Sequence, residues 1–218
     1  MSVSDLDTQL TKLKSYFPEL SEHQMILYKM MAQHYLTLND KINLISRKDI
    51  NNIFSHHILH SLAIAAFFKF TPQMKILDLG TGGGLPGVPL AVMFPDSSFV
   101  LSDSIAKKIK AVEEMIDFLK LKNVSLMNVR SEDIQETFDY VVCRAVAPLK
   151  NILKLVGNKI YPAPHTCNEG GIICLKGGDL SVEISESGTE VRIFDISKVF
   201  EDYYYKEKKV LFIPVRKK

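Results

Sequence analysis

Cysteine is scarce in this sequence, with three residues, Cys143, Cys167 and Cys174, among 218. They form an odd set without C-x-x-C spacing, which argues against a disulfide framework and against a standard zinc module. They read as reduced, mostly buried thiols. Excess charge is missing too: 27 Lys and Arg face 25 Asp and Glu, a formal net charge of +2. Bulk charge therefore neither demands nor excludes a nucleic-acid partner, and local distribution has to decide. Long hydrophobic runs are also absent. The stretch from Ile58 to Phe68 is too short and too polar to span a bilayer, and no basic segment followed by an apolar core opens the chain. A cytoplasmic protein is expected. No internal repeat is visible, and no glycine occurs before about Phe70.

With 46% hydrophobic residues, the chain is long enough to bury one substantial core and a small appended element. Residues 1–70 carry only helical signals. Ser21 with Gln24 makes a capping box ahead of Met25, Tyr28, Met31, Ala32 and Tyr35 at helical spacing. Asn39-Asp40 interrupts that helix and residues 41–46 form a connection. Asp49 is placed to cap a second long helix carrying Ile53, Phe54, Ile58, Leu62 and Ala65, ended by Thr71-Pro72.

From Lys75 short apolar runs alternate with amphipathic stretches, the pattern of βα units around a parallel sheet. Strands are predicted near residues 75–79, 98–102, 124–128, 140–143 and 172–175. A helix over 105–121 presents Ile105, Ile109, Val112, Ile116 and Leu119 on one face and Lys107, Lys108 and Lys110 on the other. After Lys176 no long helix is expected, and 190–196 and 210–215 read as two more strands, antiparallel at the sheet edge. Residues 162–170, with two prolines, read as the one segment of low order. The fold class is α/β, with residues 71–218 forming a Rossmann-like domain around a mostly parallel seven-stranded sheet.

Residues 76–84, Ile-Leu-Asp-Leu-Gly-Thr-Gly-Gly-Gly, are an apolar strand that ends in an acid and a glycine-rich turn. Gly80, Gly82 and Gly84 permit positive φ and let the backbone approach a ligand, at the strand end where an open α/β sheet binds its cofactor. Gly82, Gly84 and Gly87 also satisfy G-x-G-x-x-G, so a dinucleotide oxidoreductase stands as an alternative. Two features favour S-adenosylmethionine. Asp78 stands where a carboxylate holds the cationic methionyl amino group, directly or through water, and Pro86 removes an N–H from the region a pyrophosphate would use. Asp103, at the end of the next strand, is placed to accept hydrogen bonds from ribose hydroxyls, with helix capping as its plain alternative. Ser131-Glu132-Asp133 follows the third strand, where an adenine would lie, or forms a solvated turn.

Residues 80–90, Gly-Thr-Gly-Gly-Gly-Leu-Pro-Gly-Val-Pro-Leu, closely resemble the G-T-G-x-G-L-P-G-I-P-L signature of the RsmG family, also called glucose-inhibited division protein B. Residues 43–46 (Asn-Leu-Ile-Ser), 57–61 (His-Ile-Leu-His-Ser), 103–104, 143–147 (Cys-Arg-Ala-Val-Ala) and 175–177 (Leu-Lys-Gly) agree in the same order. The resemblance implies an S-adenosylmethionine-dependent methyltransferase acting on guanine N7 of 16S ribosomal RNA, as free RNA or in the small subunit; a monomer is expected. It implies that Gly80, Leu85, Ser131, Glu132 and Arg144 line the cofactor site. The chain departs from the family pattern at His60, where aspartate is usual, at Ser102, where leucine is usual, and in an insert over 161–169.

Other chemistries are less well served. His56 and His60 share an i, i+4 helix face suited to a metal, but no third ligand joins them, and His165, Cys167 and Cys174 fit no standard spacing. No metal is expected. Cys143 lacks the Pro-Cys setting of a methylating nucleophile, and no Asn-Pro-Pro-Tyr sequence serves an exocyclic amine. Guanine N7 needs no base, and Arg144 either donates to guanine O6 or shapes the cofactor pocket. Lys107, Lys108, Lys110, Lys120, Lys122, Arg130, Lys176 and the terminal 216–218 run are candidate phosphate contacts, each equally readable as a solvated charge. A catalytically silent RNA-binding module of the same fold is the remaining alternative.

Overall fold

The computed structural model describes residues 3–161 and 169–215. Cys167, His165, residues 162–168 of the expected low-order stretch 162–170 and the basic run 216–218 lie outside them, whereas Gly170 already belongs to a strand. Helix α1 (Val3–Tyr16) buries Leu6 and Leu13. Helix α2 (Glu22–Lys41) starts at the expected capping box: the Ser21 hydroxyl accepts the Gln24 N–H at 3.2 Å, and Gln24 Oε1 accepts the Ser21 N–H at 2.9 Å. Its buried face carries Leu27, Tyr28, Met31, Ala32, Tyr35 and Leu38.

The second long helix is not continuous. A 3₁₀ turn (Ile50–Asn52) and a π-helical stretch (Ile53–Leu59) precede α3 (His60–Phe67), which ends before Thr71-Pro72. Asp49 makes no side-chain cap. Its carboxylate turns instead to His56 and His57, an arrangement that the widened π-turn permits.

The remainder runs β1 (Lys75–Leu79), α4 (Gly87–Met93), β2 (Ser98–Ser102), α5 (Ala106–Leu119), β3 (Val124–Met127), β4 (Tyr140–Arg144), α6 (Leu149–Val156), β5 (Gly170–Gly177), a short α7 (Ser181–Ser187), β6 (Arg192–Asp195) and β7 (Lys208–Val215). One seven-stranded sheet has the order β3, β2, β1, β4, β5, β7, β6. The first five strands are parallel, and β7 is antiparallel to both β5 and β6. The two late strands are therefore both present, with β7 inserted between β5 and the edge strand β6.

Period-two alternation sorts the sheet residues between two cores. Ile76, Phe99, Leu101, Tyr140 and Val142 pack with α2 to α5, whereas Leu77, Leu79, Val100, Val141 and Cys143 pack with Leu149, Ile152 and Val156 of α6. Along α5 the expected apolar face is buried from Ile109 to Leu119, but Ile105 is the N-cap and half exposed. Strand order reverses about β1 and β4, which places a crevice over their carboxyl ends.

The N-terminal helices dock on the sheet domain through buried polar as well as apolar contacts. Tyr28 Oη donates to Pro89 O at 3.0 Å, Tyr35 Oη to Gly83 O at 2.8 Å, and Gln24 Nε2 to Val92 O at 2.9 Å. We propose that the 1–70 and 71–218 segments fold as one cooperative unit. Tyr28→Phe should lower the unfolding free energy by about 1 kcal/mol. Urea unfolding should remain a single transition, coincident by circular dichroism and tyrosine fluorescence. Two separated transitions would show that the helical element folds on its own.

Candidate active site

Strand β1 delivers Asp78 to the crevice fully buried. Its Oδ2 accepts the Thr81 hydroxyl at 2.6 Å and the Gly87 N–H at 2.8 Å, tying strand, turn and helix start together. A Cβ on Gly87 would stand 2.6 Å from that oxygen, so glycine is required there. Oδ1 is buried without a partner among the described residues. Burial dominates the electrostatics and raises the Asp78 carboxyl to about 7, although Thr81, Gly87 and Arg144 favour its ionised form.

Gly80, Gly82 and Gly84 all take positive φ, as the sequence led us to expect. Their surroundings differ. A Cβ on Gly84 would meet Val88 at 2.7 Å, whereas on Gly82 it would meet nothing nearer than Gly80 O at 4.0 Å. Gly84 is thus constrained by packing, while Gly82 faces space a ligand can fill. Leu85 is buried in the core shared with the N-terminal helices.

The Asp103 carboxylate does not cap α5, whose N-cap is Ile105, but braces the turn before it: Oδ1 accepts the Ile105 N–H at 2.9 Å, and Oδ2 accepts the Gly82 N–H at 3.0 Å. Asp103 also lines a cleft of about 200 Å³ with Gly80, Ser102, Ser104, Arg130, Ser131, Glu132 and Val146. Four expected site residues, Gly80, Asp103, Ser131 and Glu132, thus meet in one cavity. Asp78 lies beneath the turn instead. The small Ser102 side chain, where the family usually has leucine, forms part of the wall.

Arg144, at the end of β4, faces another side of the crevice. Its guanidinium donates to His57 Nδ1 at 3.1 Å, while His57 Nε2 lies 2.7 Å from Asp49 Oδ2 and His56 Nδ1 lies 2.6 Å from Asp49 Oδ1. Burial and the Arg144 charge push His57 down to about 4, so the ring is neutral near pH 7. The neutral tautomer follows from the partners: Nε2–H donates to Asp49, leaving Nδ1 to accept from Arg144. Tyr204 stacks on His56 with ring centroids 3.7 Å apart and meets His60 edge-on at 5.9 Å.

His56 and His60 therefore converge on an aromatic ring. Among the described residues no group of three or more His, Cys, Asp or Glu side chains is arranged to hold a metal ion. Cys143 and Cys174 are free and buried, in register across β4 and β5, with Sγ atoms 3.3 Å apart. Burial and their mutual contact raise the Cys143 thiol, which suits a packing role rather than a nucleophile.

The basic candidates divide. Lys107 and Lys110 are exposed on α5, and Lys108 Nζ lies 3.6 Å from Asp103 Oδ2. Lys107 and Lys108 line a groove of about 280 Å³ with Arg47 and Asn43 from the connection after α2. Lys176 is placed differently from expectation. Its ammonium donates to Ala147 O and Glu183 Oε1, each at 2.6 Å, and is largely withdrawn from solvent. Two of its three ammonium donors are thus engaged within the chain, unlike those of the exposed Lys107 and Lys110.

Sequence reasoning missed Asp49 and Tyr204 as supports of the Arg144 side. Asp49 followed seven and eight residues later by two histidines was a usable signal, but the helix-capping reading absorbed it.

The family model described as rRNA small subunit methyltransferase G matches residues 22–209. The chain belongs to this family. It is 44% identical over 200 residues to the ribosomal RNA small subunit methyltransferase G of Phocaeicola vulgatus, covering 92% of this chain and 96% of that protein. It is 44% identical over 209 residues to the protein of the same name from Christiangramia forsetii, covering 96% and 99%. Solved structures share the fold at low identity. A SAM dependent methyltransferase from Aquifex aeolicus matches with a TM-score of 0.55 and 16% identity over 78% of this chain and all of that one. A precorrin-6y methyltransferase from Geobacter metallireducens matches with a TM-score of 0.51 and 11% identity over 80% and 92%. Membership in a methyltransferase family sets aside the oxidoreductase alternative.

The neutral His57 carries a pH signature. Its folded-state value is depressed, so the unfolded chain takes up a proton first, and this residue destabilises the fold as pH falls from about 6.5 to 4. The unfolding free energy of His57→Asn should fall less steeply than wild type across that window, the difference amounting to about 2 kcal/mol. Parallel curves in denaturant titrations at stepped pH would show that His57 is not held neutral.

Proposed function

We propose that this protein transfers a methyl group from S-adenosylmethionine to N7 of a guanine in 16S ribosomal RNA. The observation that carries the reading is the family match over residues 22–209, which spans the glycine turn, the Asp103 cleft and Arg144. Among the described residues no helix is long and apolar enough to cross a membrane, which accords with action on ribosomal RNA in the cytoplasm.

The residues present fit the cofactor. Gly82 leaves space beside the turn, and the buried, unpartnered Asp78 Oδ1 favours a nearby cation. Asp103 would accept from the ribose hydroxyls while still bracing Gly82, and Ser131 with Glu132 would meet the adenine. Gly80, Gly84 and Leu85 set the backbone path. Asp78 would balance the charge of the methionyl ammonium from beneath the turn. When bound, the cofactor supplies an electrophilic methyl group on a sulfonium.

Guanine N7 attacks with its own in-plane lone pair, so the protein aligns the reactants and excludes water without removing a proton. That requirement agrees with the His57 ring, both of whose nitrogens are already engaged. Arg144, held by His57 and Asp49, donates to guanine O6 and leaves N7 free. Lys107, Lys108 and Lys110 attract RNA phosphates, with Arg47 across the groove.

The N7-methylated base is cationic, so borohydride reduction and aniline treatment should cleave the RNA at a single guanine after reaction. Methyl groups found only on an exocyclic amine or a pyrimidine would refute the position, and RNA binding without transfer would favour the silent module. Arg144→Ala should lower kcat by about 1.5–3 kcal/mol of transition-state stabilisation, leaving cofactor affinity nearly intact. An equal loss of affinity would make Arg144 a wall of the cofactor pocket.

A further inference from the structure

The segment between β6 and β7 carries three consecutive tyrosines, Tyr203, Tyr204 and Tyr205. Tyr205 is fully buried, packs on Phe200 at 5.2 Å, and its hydroxyl donates to Ser55 O. Tyr204 is half buried, stacked on His56 and bonded through its hydroxyl to His56 O at 3.2 Å. Tyr203 points the other way. It is 83% exposed, more than any other large apolar side chain among the described residues.

A lone exposed tyrosine needs no explanation in itself, but this one is held in place. Asp202 caps the turn, its carboxylate accepting the Tyr204 N–H at 2.9 Å and its carbonyl the Tyr205 N–H at 3.0 Å. The Lys206 N–H closes the 3₁₀ turn onto Tyr203 O at 3.1 Å. The rings of Tyr204 and Tyr205, next to Tyr203 in the same turn, anchor the segment against residues 55 and 56. Lysines flank the rings: Lys206 Nζ stands 5.5 Å from the Tyr203 centroid and Lys208 Nζ stands 4.9 Å from the Tyr204 centroid. Tyr204 in turn rests on His56, next to the His57 that holds Arg144.

A rigidly presented aromatic face beside cations, one residue from the ring that borders Arg144, has the chemistry of a single-stranded nucleic-acid platform. Every base offers a π-face to stack on, and the ammonium offers a contact to the adjoining phosphate. We propose that Tyr203, with Lys206, stacks an unpaired base of the substrate RNA next to the guanine being methylated. This surface is separate from the α5 lysines, on elements at the opposite end of the sheet order, so the RNA is gripped on two sides of Arg144. The inference rests on the RNA methyltransferase reading.

The experiment uses the full chain and a small-subunit ribosomal RNA fragment that the wild-type protein methylates. Tyr203→Ala should raise KM for RNA roughly five- to hundred-fold, the range for loss of one stacked base. Saturating kcat and S-adenosylmethionine affinity should stay unchanged, and Tyr203→Phe should restore KM. The chain contains no tryptophan. Tyr203→Trp therefore creates a single reporter, whose fluorescence should be quenched when RNA binds. Wild-type KM in Tyr203→Ala, or an unquenched reporter at saturating RNA, would overturn the platform while leaving the enzyme reading intact. A wild-type protein that methylates no small-subunit ribosomal RNA would remove both.

Discussion

The arrangement of the site depends on one buried carboxylate. Asp78 is withdrawn from water at the end of β1, and its Oδ2 gathers the Thr81 hydroxyl and the Gly87 N–H within 2.8 Å. Those two bonds fix where the turn leaves the strand and where α4 begins. Gly87 must lack a side chain because the carboxylate occupies its Cβ position. With the turn fixed, Gly82 can reach the Asp103 carboxylate, which also holds the Ile105 N–H just before α5. The cleft that joins Gly80, Asp103, Ser131 and Glu132 is the consequence.

A second support works from outside the sheet domain. The π-helical stretch after Asp49 puts His56 and His57 on the same carboxylate, and His57 then accepts from Arg144. A guanidinium buried without a partner is costly, whereas one held by a neutral histidine keeps its remaining N–H groups for a ligand. The N-terminal helices contribute directly, since Tyr35 bonds the carbonyl of Gly83 inside the glycine turn. Helical element and sheet domain thus meet at one crevice.

Features set by local spacing were legible in the sequence. Strands β1 and β2, the capping box of α2 and the positive-φ glycines follow from apolar alternation and backbone sterics within a few residues. What needed tertiary contacts was not legible. Asp49 looked like a helix cap because caps are local, and its true partners exist only once residues 53–59 take π geometry. Lys176 looked free because Glu183 and Ala147 reach it through α7 and the loop after β4. Ile105 matched a helical face by spacing, yet the helix starts one residue later and leaves it half exposed.

Proton linkage on binding reports whether the Asp78 turn holds a cationic methyl donor. Burial raises Asp78 to about 7, so its carboxyl is partly protonated near neutrality. A cation placed beside it favours the charged form and lowers that value, which must release protons. Titration calorimetry with S-adenosylmethionine at pH 7, in buffers of different ionisation enthalpy, should show net proton release that disappears in Asp78→Asn. Binding with proton uptake, or no binding at all, would contradict the account.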